Sequence, residues 1–185
     1  CKVIVFSKTS GQTDALIAST TDFLLWYAKD GKQVKFRQLY LEKRAGDVGS
    51  GNYRFVELPD GTRRPMNRDE YENPKLVPDG SKIYRLSGTS SQTRGKEEPP
   101  VFEFSGKRYK PESTRGWSTT IEGLRLLGIA NRLVGVGNTL TYVRYLDDFP
   151  VQPVADVWLD TGVSGFGEKK IYAVQTLSDA VQRCL

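Results

Sequence analysis

Histidine is absent from this chain of 185 residues, and cysteine occurs only twice, as Cys1 and Cys184. A structural zinc site normally needs four cysteine or histidine ligands, so the composition argues against bound zinc or another metal held in this way. Without histidine, Ser-His-Asp triads and Cys–His dyads are excluded. We expect the two cysteines to be free, buried thiols rather than a disulfide, as is usual in the cytoplasm.

Long hydrophobic runs are also missing. No run approaches eighteen apolar residues, so no membrane-spanning segment is predicted. The first six residues lack the parts of a secretory signal, and we expect a cytoplasmic protein. The chain has no initiating methionine, opens in an apparent strand and closes in an apparent helix, so we expect a fragment of a longer protein.

Positive charge is concentrated in one block. The net charge is +5, and residues 82–144 carry 11 basic but only five acidic side chains, whereas residues 145–168 carry five acidic and no basic ones. This distribution is typical of a surface for a polyanion. A solubilising surface charge explains it equally well.

The apolar runs 3–6 and 23–28 predict short strands, and their continuity suits strands that are buried on both faces of a sheet. Alternation at 34–37 indicates an edge strand. Glycine and proline interrupt residues 44–98 so often that we expect a loop-rich connector, with short strands at 53–58 and 82–86 and one helical turn at 68–72.

Residues 101–146 predict a hairpin, a helix and a second hairpin, which together resemble a small inserted domain. Ser105-Gly106 and Gly137-Asn138 are the two predicted turns. Thr119 is the expected N-cap of the helix, since Glu122 follows at the spacing of a capping box. A further helix is expected to begin near Ser178.

The same block interleaves cations with an aromatic residue, a combination that binds phosphates and reaches bases. Each residue taken singly is more simply a solvated side chain, and Trp117 a core anchor, but the cluster slightly favours DNA contact. The candidate DNA-binding residues are Arg94, Lys107, Arg108, Lys110, Arg115, Trp117, Arg125 and Arg132. The adjacent carboxylates Asp147 and Asp148 lack the further residues of a two-metal nuclease, and no catalytic residue is predicted within the chain.

Several strings, taken in order, resemble the modification methyltransferases of type III restriction systems and related DNA adenine-N6 methyltransferases. They are FSKTSG (6–11), DFLLWYAKD (22–30), KFRQLY (35–40), RYLDDFP (144–150), VWLDT (157–161) and YAVQT (172–176), with Arg183. No single string is decisive, but their order is specific and spans nearly the whole chain.

The resemblance implies an α+β chain in three segments. Residues 1–40 would be late strands of a Rossmann-like methyltransferase sheet, residues 41–150 an inserted mixed α/β target-recognition domain, and residues 151–185 the return to the catalytic domain. The family's catalytic Asp-Pro-Pro-Tyr motif and its glycine-rich S-adenosylmethionine loop are absent, so the fragment alone is expected to be inactive.

The resemblance also implies ligands and partners. Tyr172 and Gln175 would lie at the methionine end of S-adenosylmethionine, although Thr176-Leu177 replaces the family's Lys-Pro and tight binding by this fragment is not expected. Double-stranded DNA is the expected partner, together with a restriction subunit or a second methyltransferase subunit. The alternative is a self-contained nucleic-acid-binding module without enzymatic activity, for which residues 101–146 would suffice.

Overall fold

The computed structural model of the chain describes residues 2–8, 16–47, 49–161 and 178–184. Within these ranges the backbone is mixed α+β, with mostly strands and few helices, which confirms the expected class at this level. The strands are β1 (Lys2–Ser7), β2 (Thr21–Trp26), β3 (Tyr40–Glu42), β4 (Phe55–Glu57), β5 (Arg63–Pro65), β6 (Lys82–Gly88), β7 (Ser90–Ser91), β8 (Phe102–Phe104), β9 (Lys107–Tyr109), β10 (Gly116–Trp117), β11 (Leu133–Val136), β12 (Thr139–Tyr145), β13 (Val151–Pro153) and β14 (Val157–Trp158). The α-helices are α1 (Arg68–Glu72), α2 (Ile121–Ile129) and α3 (Ser178–Gln182).

The chain divides into two compact units. Unit 1 comprises Cys1–Leu41 and Pro153–Leu185, and unit 2 comprises Glu42–Gln152. The domain boundaries predicted from the sequence lie after residues 40 and 150, close to the limits of these units. The roles that the resemblance assigns to these segments stay predictions.

Unit 1 contains a three-stranded sheet in the order β14-β1-β2. The central strand β1 pairs in parallel with β14 and antiparallel with β2. Phe6 from β1, Trp158 from β14 and Ala180 from α3 form its buried cluster. The helix predicted near Ser178 is therefore confirmed, and its burial of Ala180 ties it to the sheet.

Strand β2 contradicts the expectation of strands buried on both faces. Only Thr21 and Leu24 of this strand are half-buried, and Phe23 and Leu25 are 65% and 67% exposed. The exposure of these two side chains shows that no described element packs on the face that carries them. A run of apolar residues specifies the strand but not whether another layer packs on it.

The edge strand predicted at 34–37 is wrong. Asp30 instead caps a 3₁₀ turn at Gly31–Gln33 by accepting a hydrogen bond from the Lys32 backbone N–H (2.9 Å). Val34 follows in an extended conformation, but the segment pairs with no described strand, and Phe36 packs against Trp26 at 5.4 Å between ring centroids.

Unit 2 is built on a five-stranded antiparallel sheet in the order β11-β12-β6-β4-β5. Its longest pairing joins β6 to β12, with Tyr84 opposite Tyr145 and Leu86 opposite Val143. Residues 44–98 are therefore not mainly a connector, since three of the five strands come from them. For the same reason residues 101–146 do not form a separate domain, because their second hairpin is completed by β6.

Both predicted hairpins are confirmed. In the β8–β9 hairpin, Ser105 and Gly106 have φ values of 50° and 73°, as a type I′ turn requires. In the β11–β12 hairpin, Gly137 has φ 57° at the first turn position, which a type II′ turn requires and glycine adopts without steric cost.

Helix α2 is confirmed, but its predicted N-cap is wrong by one residue. The Oγ1 atom of Thr120, rather than that of Thr119, accepts a hydrogen bond from the Gly123 backbone N–H (3.1 Å). At the other end, Asn131 adopts φ 54°, its N–H donates to Gly128 O (3.0 Å), and that of Arg132 donates to Leu127 O (2.8 Å). These bonds form a Schellman motif, which stops the helix and turns the chain into β11.

Two buried clusters stabilise unit 2. Leu124 of α2 is fully buried against the β8–β9 and β11–β12 hairpins, where Phe102, Tyr109, Leu133 and Leu140 meet. Tyr84, Val143 and Tyr145 form the second cluster on the sheet. The helix is thus held by packing on both hairpins rather than by its own glycine-containing sequence.

The prediction of buried thiols is wrong for Cys184, which is free but exposed on the last turn after α3, a helix that buries only Ala180. Cys1 lies outside the described residues. No helix in the described ranges has the length and apolarity needed to cross a membrane.

Candidate nucleic-acid interface

Four of the eight predicted DNA-binding residues line two adjoining clefts in unit 2. The larger cleft, of about 430 Å³, is bordered by Lys110, Arg115 and Trp117. The smaller one, of about 190 Å³, is bordered by Arg94 and again by Lys110. We call the two together the basic cleft.

Short strand pairing shapes the wall of the basic cleft. Strand β7 pairs with β10, which sets Trp117 opposite Ser90. The buried Thr89 fixes this arrangement, because its carbonyl accepts the Ser118 backbone N–H (2.7 Å) and its hydroxyl donates to Leu140 O (2.8 Å).

The sequence left open whether Trp117 anchors the core or contacts DNA, and its position is compatible with both. Its Nε1–H donates to Pro100 O (2.8 Å), and its ring meets Phe102 edge-on at 6.5 Å between centroids. The side chain is half-buried and also borders the larger cleft. It is therefore an anchor of the core whose remaining surface faces the cleft.

The cations of the basic cleft are held by exposed partners. Lys110 Nζ lies 2.5 Å from Glu98, and Arg115 Nε lies 3.4 Å from Glu112. The hydrogen bond from Lys110 holds the pKa of Glu98 below its usual value, so this partner is a carboxylate at neutral pH. The Glu98 and Glu112 side chains are 68% and 81% exposed, and ion pairs this exposed are weak enough for a phosphate to compete with them.

Arg94 is positioned differently, because its partner is not charged. Its Nη1 donates to Ser113 O (2.8 Å), and no ion pair with a carboxylate forms among the described residues. This hydrogen bond holds the guanidinium at the rim of the smaller cleft, where no described carboxylate forms an ion pair with it.

The other four predicted residues lie outside the basic cleft. Lys107 Nζ donates to Gly137 O (2.6 Å), Arg108 is exposed opposite Glu103 on the β8–β9 hairpin, and Arg125 pairs with Glu122 (3.5 Å) on the exposed side of α2. Their contact with DNA stays a prediction.

Arg132 is the most constrained of these four. Its Nη1 lies 2.6 Å from Asp148, and its guanidinium carbon lies 4.6 Å from the centroid of the Tyr145 ring. The hydrogen bond from Arg132 lowers the pKa of Asp148, which also accepts the Tyr145 backbone N–H (2.9 Å). This geometry gives Arg132 a structural role between the end of α2 and the end of β12.

Three residues outside the predicted set of eight also border the larger cleft: Ser90, Tyr109 and Asn138. Asn138 was interpreted only as part of a turn, although its amide is the type of group that hydrogen-bonds base edges. The position of Ser90 depends on the β7–β10 pairing, for which the sequence carries no local signal.

The predicted cofactor residues Tyr172 and Gln175 lie outside the described residues. Within the described ranges, no three acidic, cysteine or histidine side chains are grouped to hold a metal ion. Comparison with known proteins adds no relative: no family model, curated protein or solved structure matches this chain.

Proposed function

We propose that this chain is the DNA-recognition part of a site-specific, S-adenosylmethionine-dependent DNA adenine-N6 methyltransferase of a restriction-modification system. Unit 2 would be its target-recognition domain, and unit 1 would belong to a Rossmann-like catalytic sheet. The DNA-binding part of this proposal rests on the basic cleft, where Arg94, Lys110 and Arg115 lie together beside Trp117.

The basic cleft suits a nucleic acid for a physical reason. Phosphates of the backbone would replace Glu98 and Glu112 on Lys110 and Arg115, and the exchange costs little because both ion pairs are exposed. Asn138 and the free surface of Trp117 would then face the bases or sugars. Binding of this kind is driven by release of counterions and weakens as salt rises.

The enzymatic part of the proposal is supported by the ordered family resemblance and by the mixed pairing of β1, parallel on one side and antiparallel on the other. Mixed sheets with one antiparallel edge strand are common in α/β enzymes. A methyltransferase that acts on adenine in a duplex must extrude the base, so it needs a separate element that holds the flanking DNA. The parent would work in the cytoplasm, with a restriction subunit or a second methyltransferase subunit.

Salt-dependent binding of a labelled DNA duplex, followed by fluorescence anisotropy, tests the DNA-binding part. We expect the double variant K110Q/R115Q to reduce the slope of log affinity against log salt by about two, one for each lost phosphate contact. Arg68→Gln is the matched control, because Arg68 is 87% exposed, pairs with Glu72 alone among the described residues and does not border the basic cleft. Lack of duplex binding even at roughly 50 mM salt contradicts the proposal.

The enzymatic part is tested separately, on the full-length parent. Single-molecule methylome sequencing of a host that expresses the parent should show N6-methyladenine at one sequence motif. The 185-residue chain alone should transfer no methyl group, since it lacks the catalytic motif. An unmethylated host genome contradicts the enzymatic part and leaves DNA binding to be judged by the anisotropy experiment.

One observation favours the alternative of a nucleic-acid-binding module without enzymatic activity: unit 2 has its own sheet and two buried clusters. Such a module must include β4, β5 and β6 as well as residues 101–146, so it is larger than the module predicted from the sequence. Duplex binding by this chain together with an unmethylated host genome is the result that selects this alternative.

A further inference from the structure

Two arginines lie side by side on the sheet of unit 2, outside the basic cleft. Arg85 of β6 and Arg144 of β12 are direct partners in the antiparallel register, so their side chains project from the same face. Like charges placed directly opposite each other destabilise a sheet unless something neutralises them. The pairing therefore needs a compensating group.

No described carboxylate pairs directly with either arginine, although the charge of Arg144 contributes to the lowered pKa of Asp148, after the larger effect of Arg132. Three other arginines at or beside this sheet have a carboxylate: Arg63 pairs with Glu57 at 2.5 Å, Arg64 with Glu70 at 2.7 Å, and Arg132 with Asp148 at 2.6 Å. Within residues 2–8, 16–47, 49–161 and 178–184, neither Arg85 nor Arg144 forms an ion pair. Two carboxylates follow this end of β12: Asp148 is already bound to Arg132 and to the Tyr145 backbone, and Asp147 forms no ion pair with a described residue.

Arg85 also has an unused donor. Its Nε is buried and makes no hydrogen bond with a described residue, whereas nearly all buried donors in proteins have an acceptor. The guanidinium is held in place by Tyr53, a residue only 2% exposed, whose ring centroid lies 5.5 Å from the guanidinium carbon. A second cation, Lys43, lies 5.5 Å from the same ring. The region is thus positively charged, held in position and short of an acceptor.

We propose that Arg85 and Arg144 form an anion site for a phosphate group. Two guanidinium groups offer several N–H donors in planar forks, which match phosphate oxygens better than a single carboxylate. Both side chains are partly exposed, so a ligand reaches them from solvent. The group is a phosphodiester of DNA or free inorganic phosphate, and the experiments below separate these sources.

The assignment to a DNA phosphodiester rests on the proposed function. Leu140, which borders the larger cleft, is four residues from Arg144 on the same strand, a distance of roughly 13 Å along β12. A duplex whose backbone lies in the basic cleft would extend over this distance and bring a further phosphate to the arginine pair.

Titration of the whole chain with inorganic phosphate tests the site without DNA. The Nε–Hε NMR signal of Arg85 should shift and saturate, because a phosphate bound to this partly exposed side chain changes the environment of its buried Nε. Sodium chloride at matched ionic strength should leave that signal in place. A wild-type signal that does not respond to phosphate overturns the proposal, and this measurement needs no variant to fold.

Arg144→Gln gives a second readout. Because it removes the like-charge repulsion, the melting temperature without phosphate should rise, and the stabilisation that phosphate gives to the wild type should be lost. Arg85→Gln should behave in the same way and replaces Arg144→Gln in this test if that variant does not fold. Arg68→Gln is the control and should respond to phosphate like the wild type. A less stable Arg144→Gln protein that keeps its full phosphate response overturns the proposal.

Duplex binding identifies the source of the phosphate. For a DNA phosphodiester, Arg144→Gln should weaken binding roughly tenfold and reduce the salt slope by about one. A phosphate response without any duplex binding keeps the anion site, assigns it to free phosphate, and contradicts the proposed DNA function. Duplex binding with an unchanged slope and no phosphate response overturns the anion site and leaves the DNA function standing.

Discussion

Among the described residues, Glu70 has the pKa that its neighbours shift most strongly. Its carboxylate accepts hydrogen bonds from both Nη atoms of Arg64 (2.7 Å each) and from the Asn67 backbone N–H (2.9 Å). These bonds, that from Arg64 foremost, lower the pKa of Glu70 to about 2. The side chain is only 6% exposed, so these partners replace water as the groups that stabilise its charge.

Glu70→Gln should lower the stability of the protein at neutral pH, because the amide cannot replace the carboxylate on Arg64. The folded-state pKa lies below the ordinary 4.5, so the contribution of Glu70 is complete above that pH and disappears as the pH falls towards about 2. Urea unfolding at a series of pH values should therefore show the difference between wild type and variant shrinking over this interval.

Glu72→Gln is the matched control for this experiment. Glu72 pairs with Arg68 in the same helix, but the two side chains are 60% and 87% exposed, so its removal should have little effect at any pH. A stability difference between wild type and Glu70→Gln that stays constant down to pH 2 would disprove the role of the Glu70 charge.

At the scale of elements, α2 shows how one side chain defines a helix terminus. Thr120→Ala removes the acceptor of the Gly123 N–H and should lower the free energy of unfolding by about 0.5–2 kcal/mol. Thr119→Ala, one residue earlier, removes a hydroxyl that makes no capping bond and should cost less. Thermal unfolding measures which of the two variants is less stable. A larger loss of stability for Thr119→Ala would support Thr119, the residue predicted from the sequence, as the N-cap.

The elements also show which sequence signals are reliable. Ser105-Gly106 and Gly137-Asn138 predict their hairpins because positive φ values are inexpensive for glycine, a property of the residue itself. The alternation at 34–37 failed because a strand needs a partner, which its own sequence does not supply. Thr119 and Thr120 are both good caps, and the register of α2 against the two hairpins selects the second.

At the scale of the whole molecule, the described parts of the two units differ in how much apolar surface they bury. The cluster in the described part of unit 1 contains Phe6, Trp158 and Ala180, while β2 leaves Phe23 and Leu25 exposed. Unit 2 has two clusters, one of them larger than that of unit 1, and a five-stranded sheet. Regions with more buried apolar contacts are locally more stable. The free energy of local opening should therefore be lower for the sheet of unit 1 than for the sheet of unit 2.

Native-state hydrogen exchange measures this difference. Amides of β1 that bond to β2 should exchange faster than amides that join β6 to β12, although both sets are in regular antiparallel pairs. The amides within the same strand pair should exchange together if each sheet opens as a unit. Equal protection of the two sheets would contradict this expectation.

The sequence by itself determined the α+β class, both hairpin turns, the helices at 121–129 and 178–182, and the block that carries the excess charge. These depend on residues that are neighbours in the chain. Only the tertiary structure decided that β6 pairs with β12, that Lys110, Arg115 and Trp117 share a cleft, and that Arg85 lies beside Arg144. Pairing between strands more than 50 residues apart depends on which partner buries the most surface in register, and periodicity along a single strand carries no information about that partner.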